Sequence, residues 1–137
     1  MNTNAPSVNR PALRILIAED NEDLRQILEY LISSFGMQTQ IAVNGQQAFE
    51  IICSKKPDYF DAILSDIDMP LMNGFELLTQ LQKNNFRQPF IFMTAAATIE
   101  NTKRALELGI KYILEKPFEV ETLKDCLKKA LQIDLLG

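Results

Sequence analysis

The chain has 137 residues, 47% hydrophobic and 23% charged, with 14 basic residues against 18 acidic ones and a formal net charge of -4. That length fits one domain able to bury a core, and the acidic balance without a dense Lys/Arg cluster argues against nucleic-acid binding by the domain itself. The absence of histidine removes Ser-His-Asp triads, Cys-His pairs and imidazole zinc sites, so any metal would be a hard, oxygen-seeking one such as magnesium. No apolar run is long enough to span a bilayer. The N-terminus has no charged start followed by an apolar core, as a secretory signal would. Both features point to the cytoplasm and away from a membrane. Cys53 and Cys126 fall far apart in helical patterns without CxxC spacing and read as reduced, small apolar residues.

Residues 1–12 are polar, hold two prolines and show no period, which predicts a disordered lead-in before one domain over residues 13–134. Arg14 to Ala18 reads as the first strand. Leu24, Ile27, Leu28, Leu31 and Ile32 recur at helical spacing up to Gly36, a helix stop. Gln38 to Val43 is a short second strand. Asn44-Gly45 signals a turn, and Ala48, Phe49, Ile52 and Cys53 mark the second helix. Ala62 to Ser65 is the third strand, Pro70 to Gly74 a loop, and Phe75, Leu77, Leu78 and Leu81 begin the third helix. Pro89 introduces a fourth strand, Phe90 to Met93. Thr98 or Asn101 caps a fourth helix carrying Ala105, Leu106 and Leu108 and ending at Gly109. Ile110 to Leu114 is the fifth strand. Pro117 breaks it, and Val120, Leu123, Leu127, Ala130 and Leu131 form the last helix.

Five βα units in a row, with near-continuous apolar strands, predict an α/β fold: a parallel sheet covered by helices on both faces. Right-handed crossovers leave few topologies, and the flavodoxin-like (βα)5 order 2-1-3-4-5 puts strands 1 and 3 on either side of the switch point where ligands bind. Those strands run out at Glu19-Asp20 and at Asp66. The fourth and fifth run out at Thr94 and Lys116, and Asp68 follows close behind Asp66. A carboxylate at an open strand end can act as a nucleophile, and aspartyl phosphate is a covalent intermediate of this kind. Glu19 and Asp20 have the chemistry to hold magnesium, which uses one or two carboxylates plus phosphate oxygens. Lys116 offers a point charge and Thr94 a hydroxyl to the remaining phosphoryl oxygens. Taken singly, each residue has a plainer reading: acids capping the first helix, a strand-end hydroxyl, a surface lysine. Taken together they do not, because all gather at carboxyl ends, where three carboxylates without a cation would repel one another.

The segments Ile17-Ala18-Glu19-Asp20-Asn21, Asp66-Ile67-Asp68-Met69-Pro70-Leu71-Met72-Asn73-Gly74, Met93-Thr94-Ala95 and Lys116-Pro117-Phe118 resemble, in order and spacing, the receiver domain of two-component response regulators, the family of the chemotaxis regulator. The resemblance covers roughly Arg14 to Gln132. It implies that Asp66 accepts a phosphoryl group from a sensor histidine kinase or histidine phosphotransfer protein. It also implies that Glu19, Asp20, Asp66 and the backbone carbonyl of Asp68 bind magnesium (or manganese), and that Thr94 and Lys116 contact the phosphoryl oxygens. The Lys116-Pro117 bond is then expected to be cis. Such a protein catalyses its own phosphorylation and dephosphorylation but turns over no external substrate. Its output is a downstream protein target, reached through the face of the fourth helix, fifth strand and fifth helix. A monomer or a weak homodimer through that face is expected.

Two positions depart from the commonest pattern. The residue three before the lysine, usually aromatic, is Ile113, and Tyr112 beside it points to the opposite face of the strand. Asp68 adds a charge at the site's mouth. Competing readings are a phosphatase of the haloacid dehalogenase type, which Asp66-Ile67-Asp68 fits, and a receiver-like scaffold that is never phosphorylated. Against the first, the acidic pair precedes the nucleophile and little room remains for a capping segment. Against the second stands the complete residue set. Met1 at one end and Leu135-Leu136-Gly137 at the other suggest a single-domain protein.

Overall fold

The computed structural model describes residues 12–133. The predicted lead-in lies, apart from Ala12, outside the described residues, as does Asp134 at the far boundary of the predicted domain. Strands and helices alternate throughout: β1 (Arg14–Ala18), α1 (Glu22–Ser34), β2 (Gln38–Ala42), α2 (Gly45–Cys53), β3 (Ala62–Asp66), α3 (Gly74–Lys83), β4 (Phe90–Thr94), α4 (Ile99–Glu107), β5 (Tyr112–Glu115) and α5 (Val120–Leu131). The strands form one parallel sheet in the order β2-β1-β3-β4-β5, the flavodoxin-like arrangement that the alternation predicts.

The sheet separates two cores, and the two-residue period of a strand assigns each side chain to one of them. In β1, Leu16 and Ala18 join the cluster under α2, α3 and α4, which includes Ala48, Leu77 and Ala105. Ile15 and Ile17 join the cluster under α1 and α5, with Leu28, Ile32, Leu123 and Leu127. All residues of β3 and β4 are buried, as expected of inner parallel strands, whereas edge strand β2 alternates between exposed and partly buried positions until Ala42. Tyr112 and Ile113 pack on opposite sides, Tyr112 towards α1 and α5 and Ile113 towards α2, α3 and α4. Met69 and Met72 fill in against the latter core, and Phe118 lies partly buried against the former.

Local chemistry sets the ends of the helices. Asn21, Asn44, Asn73 and Thr98 each accept a backbone N–H at a helix start, and Asn73 forms a reciprocal capping box with Glu76. Of the two candidate caps for α4, Thr98 is the one used, while Asn101 donates its backbone N–H to it. Strand β5 begins two residues later than the sequence predicts, and the reason is the end of α4. Gly109, with φ of +85°, and Ile110 donate back to Leu106 and Ala105, a Schellman closure that commits Ile110 to the helix end.

Cys126 is buried, but Cys53 is exposed at the end of α2 and is not a packed apolar residue. Burial raises both thiols, Cys126 to about 11 from an ordinary 9.0. At pH 8 a thiol raised to about 11 carries roughly a hundredfold less thiolate than one at 9.0. Iodoacetamide at pH 8 is therefore expected to modify Cys53 in the native protein and Cys126 only after denaturation, as peptide mass mapping would show.

Candidate functional site at the carboxyl edge of the sheet

Adjacent parallel strands deliver the site residues to one edge. Ala18 is in register with Ser65, Asp66 with Met93, and Thr94 with Glu115. Glu19-Asp20, Asp66, Thr94 and Lys116 therefore lie at the last residue of their strands or just past it. β3 and β4 each run one residue further than the sequence predicts, so that Asp66 and Thr94 are themselves strand residues. Backbone bonds carry the ladder beyond the strand ends: Glu19 N–H to Ala42 O (3.1 Å), Ile67 N–H to Met93 O (3.0 Å) and Lys116 N–H to Thr94 O (2.7 Å). The functional side chains thus leave from backbone that is still pinned to the sheet. The Lys116-Pro117 bond is cis, as the resemblance implies.

The acids divide by role. Asn21, and not Glu19 or Asp20, caps α1 through its side chain, so the capping explanation does not account for the acidic pair. Glu19 and Asp66 are buried and Asp20 is exposed. The Lys116 Nζ donates to Glu19 Oε1 at 2.7 Å and to Asp66 Oδ2 at 2.6 Å. The second oxygens are also engaged, Glu19 Oε2 by Asn21 N–H (3.0 Å) and Asp66 Oδ1 by Asp68 N–H (3.2 Å). Asp68 itself is exposed. The buried Thr94 hydroxyl accepts from Ala96 N–H at 3.0 Å, which leaves its own proton to donate. Among the described residues it makes no bond to the acidic trio.

Burial raises the Glu19 carboxyl, and the hydrogen bonds from Lys116 and Asn21 only partly oppose this. Burial alone would lower the Lys116 ammonium, but its bonds to Asp66 and Glu19 and their charges outweigh that and raise it. Both folded groups therefore hold their protons more tightly than they would in the unfolded chain. The Lys116 contribution to stability is complete below its ordinary value of 10.5 and is lost as pH rises through the raised one. Glu19 opposes folding while ionised, and that opposition is relieved as pH falls through its raised value towards 4.5.

Carboxylate oxygens of Glu19, Asp20 and Asp66 lie within 4.8 Å of one another. Three hard oxygen donors at that spacing suit magnesium or manganese, which take oxygen ligands and retain water. Sequence reasoning identified these residues but missed Arg25, whose Nη1 donates to the carbonyls of both Glu19 (3.0 Å) and Asp20 (3.1 Å). The only signal available was a cation in the first turn of the helix that follows the acidic pair.

The loop after Asp66 is tightly constrained. Met72 N–H donates to Pro70 O at 2.7 Å across Leu71, which has φ of +71° and is exposed, a strained γ-turn. Gly74 donates to Ile67 O at 2.8 Å. A Cβ at Gly74 would lie 2.5 Å from Asp66 O and 3.0 Å from the Phe92 ring. Gly74→Ala must push on the backbone of the Asp66 strand end. A loss of about 1–3 kcal/mol is expected, measurable as a lower denaturant midpoint.

Lys116→Met would leave two buried carboxylates facing each other without their cation. A loss of about 3 kcal/mol at pH 7 is expected. The gap to the unaltered protein should narrow as pH falls towards 4, because protonation removes the uncompensated charge. Urea titrations at several pH values would check this, and a pH-independent gap would contradict it.

A family model described as the response regulator receiver domain matches residues 15–128. The chain is 34% identical over 120 residues to regulatory protein AtoC of Escherichia coli (strain K12), a match covering 88% of this chain and 25% of that protein. It is 32% identical over 120 residues to sporulation initiation phosphotransferase F of Bacillus subtilis (strain 168), covering 88% of this chain and 94% of that protein. The chain thus spans about a quarter of the first relative and nearly all of the second. Among solved structures, the receiver domain of the sensor histidine kinase PA1611 from Pseudomonas aeruginosa PAO1 superimposes with a TM-score of 0.79 at 27% identity, over 89% of this chain and 99% of that one. Its structure has a magnesium ion coordinated in the active site cleft.

Proposed function

The chain belongs to the response regulator receiver family, and from that membership we propose that Asp66 is the phosphoacceptor of a phosphorylation-dependent switch. The observation that carries the reading is the position of the Asp66 carboxylate. It ends a central strand, lies 2.6 Å from an ammonium, and shares a 4.8 Å cluster with Glu19 and Asp20.

In the transfer, an Asp66 oxygen forms a bond to phosphorus while the P–N bond of a donor phosphohistidine breaks, and that electron pair stays on the donor imidazole. The donor must come from another protein, a sensor histidine kinase or a histidine phosphotransfer protein, since this chain has no histidine. Lys116 brings positive charge to the acceptor, which lowers the repulsion between a carboxylate and an incoming anionic phosphoryl group. Its Nζ then donates to a phosphoryl oxygen. The Thr94 hydroxyl, anchored by Ala96 N–H, donates to another. Glu19, Asp20, Asp66 and the backbone carbonyl of Asp68 would hold a magnesium or manganese ion, whose charge neutralises acceptor and phosphoryl oxygens together. Water then attacks the phosphorus, the P–O bond to Asp66 breaks with its electron pair left on the carboxylate, and inorganic phosphate departs, so the protein cycles between two states without turning over an external substrate.

The added charge is read out by groups that contact it in only one state. Thr94 is the mobile reporter in this proposal, because Ile113 has no polar tip to exchange between core and surface. The output surface is α4, β5 and α5, which offers a downstream protein or a second copy the exposed Ile99 and Leu106. Among the described residues no helix is long and apolar enough to cross a membrane, and action in the cytoplasm fits this reading. Family membership leaves the phosphatase alternative without support.

Incubation with acetyl phosphate and magnesium, followed by intact mass, is expected to add one phosphoryl group. Asp66→Asn should abolish the addition, and chelation of the metal should suppress it. Modification that persists in Asp66→Asn would refute the assignment.

A further inference from the structure

Glu19 and Asp20 are aimed in different ways. The Glu19 carboxylate is held from two sides, by Lys116 Nζ and by Asn21 N–H. Among the described residues the exposed Asp20 carboxylate has no hydrogen-bond donor, yet one of its oxygens lies within 4.8 Å of those of Glu19 and Asp66. With no donor to hold its oxygens, the one anchor on the Asp20 side chain is the backbone that fixes its Cα–Cβ direction. The carbonyl of Asn21 already belongs to α1, accepting from Arg25 N–H. The carbonyls of Glu19 and Asp20 come before the cap and cannot join the helix ladder. Both are taken by a single nitrogen, Arg25 Nη1, at 3.0 and 3.1 Å. One side chain, four residues into α1, thus ties the two peptide units that carry the acidic pair to the helix that follows.

We infer that Arg25 is a positioning residue for divalent-cation binding: by bridging the carbonyls of Glu19 and Asp20 it holds the Asp20 carboxylate where it can share an ion with Glu19 and Asp66. This rests on the reading of the acidic trio as a magnesium site. Two effects of Arg25 have opposite signs. As a nearby positive charge it repels a cation, so its removal would tighten binding. As a clamp it pre-orients a ligand, so its removal weakens binding, and outer-shell partners of metal ligands typically matter by ten- to a hundredfold. The number of bonds favours the clamp, because both go to backbone carbonyls and neither to a carboxylate, the partner that charge pairing alone would choose.

The sign makes a direct test. Magnesium chloride is titrated into the full chain by calorimetry for the unaltered protein, Arg25→Met and Arg25→Lys, with thermal midpoints recorded alongside. Arg25→Met is expected to bind magnesium about tenfold more weakly even though a repelling charge is gone. Arg25→Lys keeps the charge, but its ammonium stands one bond nearer the backbone than Nη1 and falls short of the two carbonyls, and it too should bind more weakly. Arg25→Met that binds as tightly as the unaltered protein, or more tightly, overturns the inference. So does a lowered midpoint with unchanged affinity, which is what a merely structural arginine would show. Should Arg25→Met fail to fold, Arg25→Lys decides: weaker binding supports positioning, and unchanged binding overturns it. An unaltered protein that takes up no magnesium would sink the metal reading first, a failure distinct from a change confined to the variants.

Discussion

Two buried carboxylates held a few ångströms apart by one ammonium are the interaction on which this molecule turns. Glu19 follows β1, Asp66 ends β3 and Lys116 follows β5, so the triad closes across the edge of the sheet between residues 97 and 50 positions apart in sequence. Ionised Glu19 and Asp66 would be costly there by themselves, since each has lost solvent and faces its neighbour's like charge. Lys116 opposes both costs at once, though for Glu19 only in part. The same arrangement is what the proposed function uses: the Asp66 carboxylate sits beside a positive charge, and carboxylate oxygens of Glu19 and Asp20 lie close by.

The parallel sheet makes that gathering unavoidable. In a doubly wound fold all strands point the same way, so every strand's carboxyl end lies on one edge. With the order β2-β1-β3-β4-β5, the chain leaves β1 for one side of the sheet by way of α1 and returns to the other side at β3. The crevice between their ends is where Glu19-Asp20 and Asp66 meet. The backbone bonds that continue the ladder past the strands keep these residues from moving as a loose loop would. Arg25 extends the same rigidity into the β1–α1 connection, and Gly74 lets α3 begin so close to Asp66 that a single added carbon would not fit.

Away from the edge, the exposed Arg104 of α4 lays its guanidinium 4.4 Å from the centre of the Phe75 ring. Phe75 meets Phe92 edge-on at 5.0 Å, and the Phe92 ring in turn abuts the position of Gly74. Arg104 of α4 is thereby connected through two aromatic rings to the backbone beside Asp66, on the face of the sheet where Ile113 packs.

Periodicity and punctuation determined most of the fold before any coordinates. Apolar runs of four or five residues between helix-period segments specify alternating strands and helices, and nothing but a parallel, doubly covered sheet buries them all. The site residues were legible for the same reason, as polar residues placed where each apolar run stops. The errors were local. The register of β5 slipped because Ile110, apolar and β-branched, reads as strand until the Schellman bonds to Ala105 are seen. Cys53 reads as core until the exposed end of α2 is seen. What only the tertiary structure decided is which groups touch. Lys116 between Glu19 and Asp66, Arg25 beneath the acidic pair and Arg104 on Phe75 all depend on side-chain directions and on distances between segments far apart in the chain. Those are set by packing and not by local pattern, because a sequence specifies the order in which strands end but not the ångströms that separate their side chains.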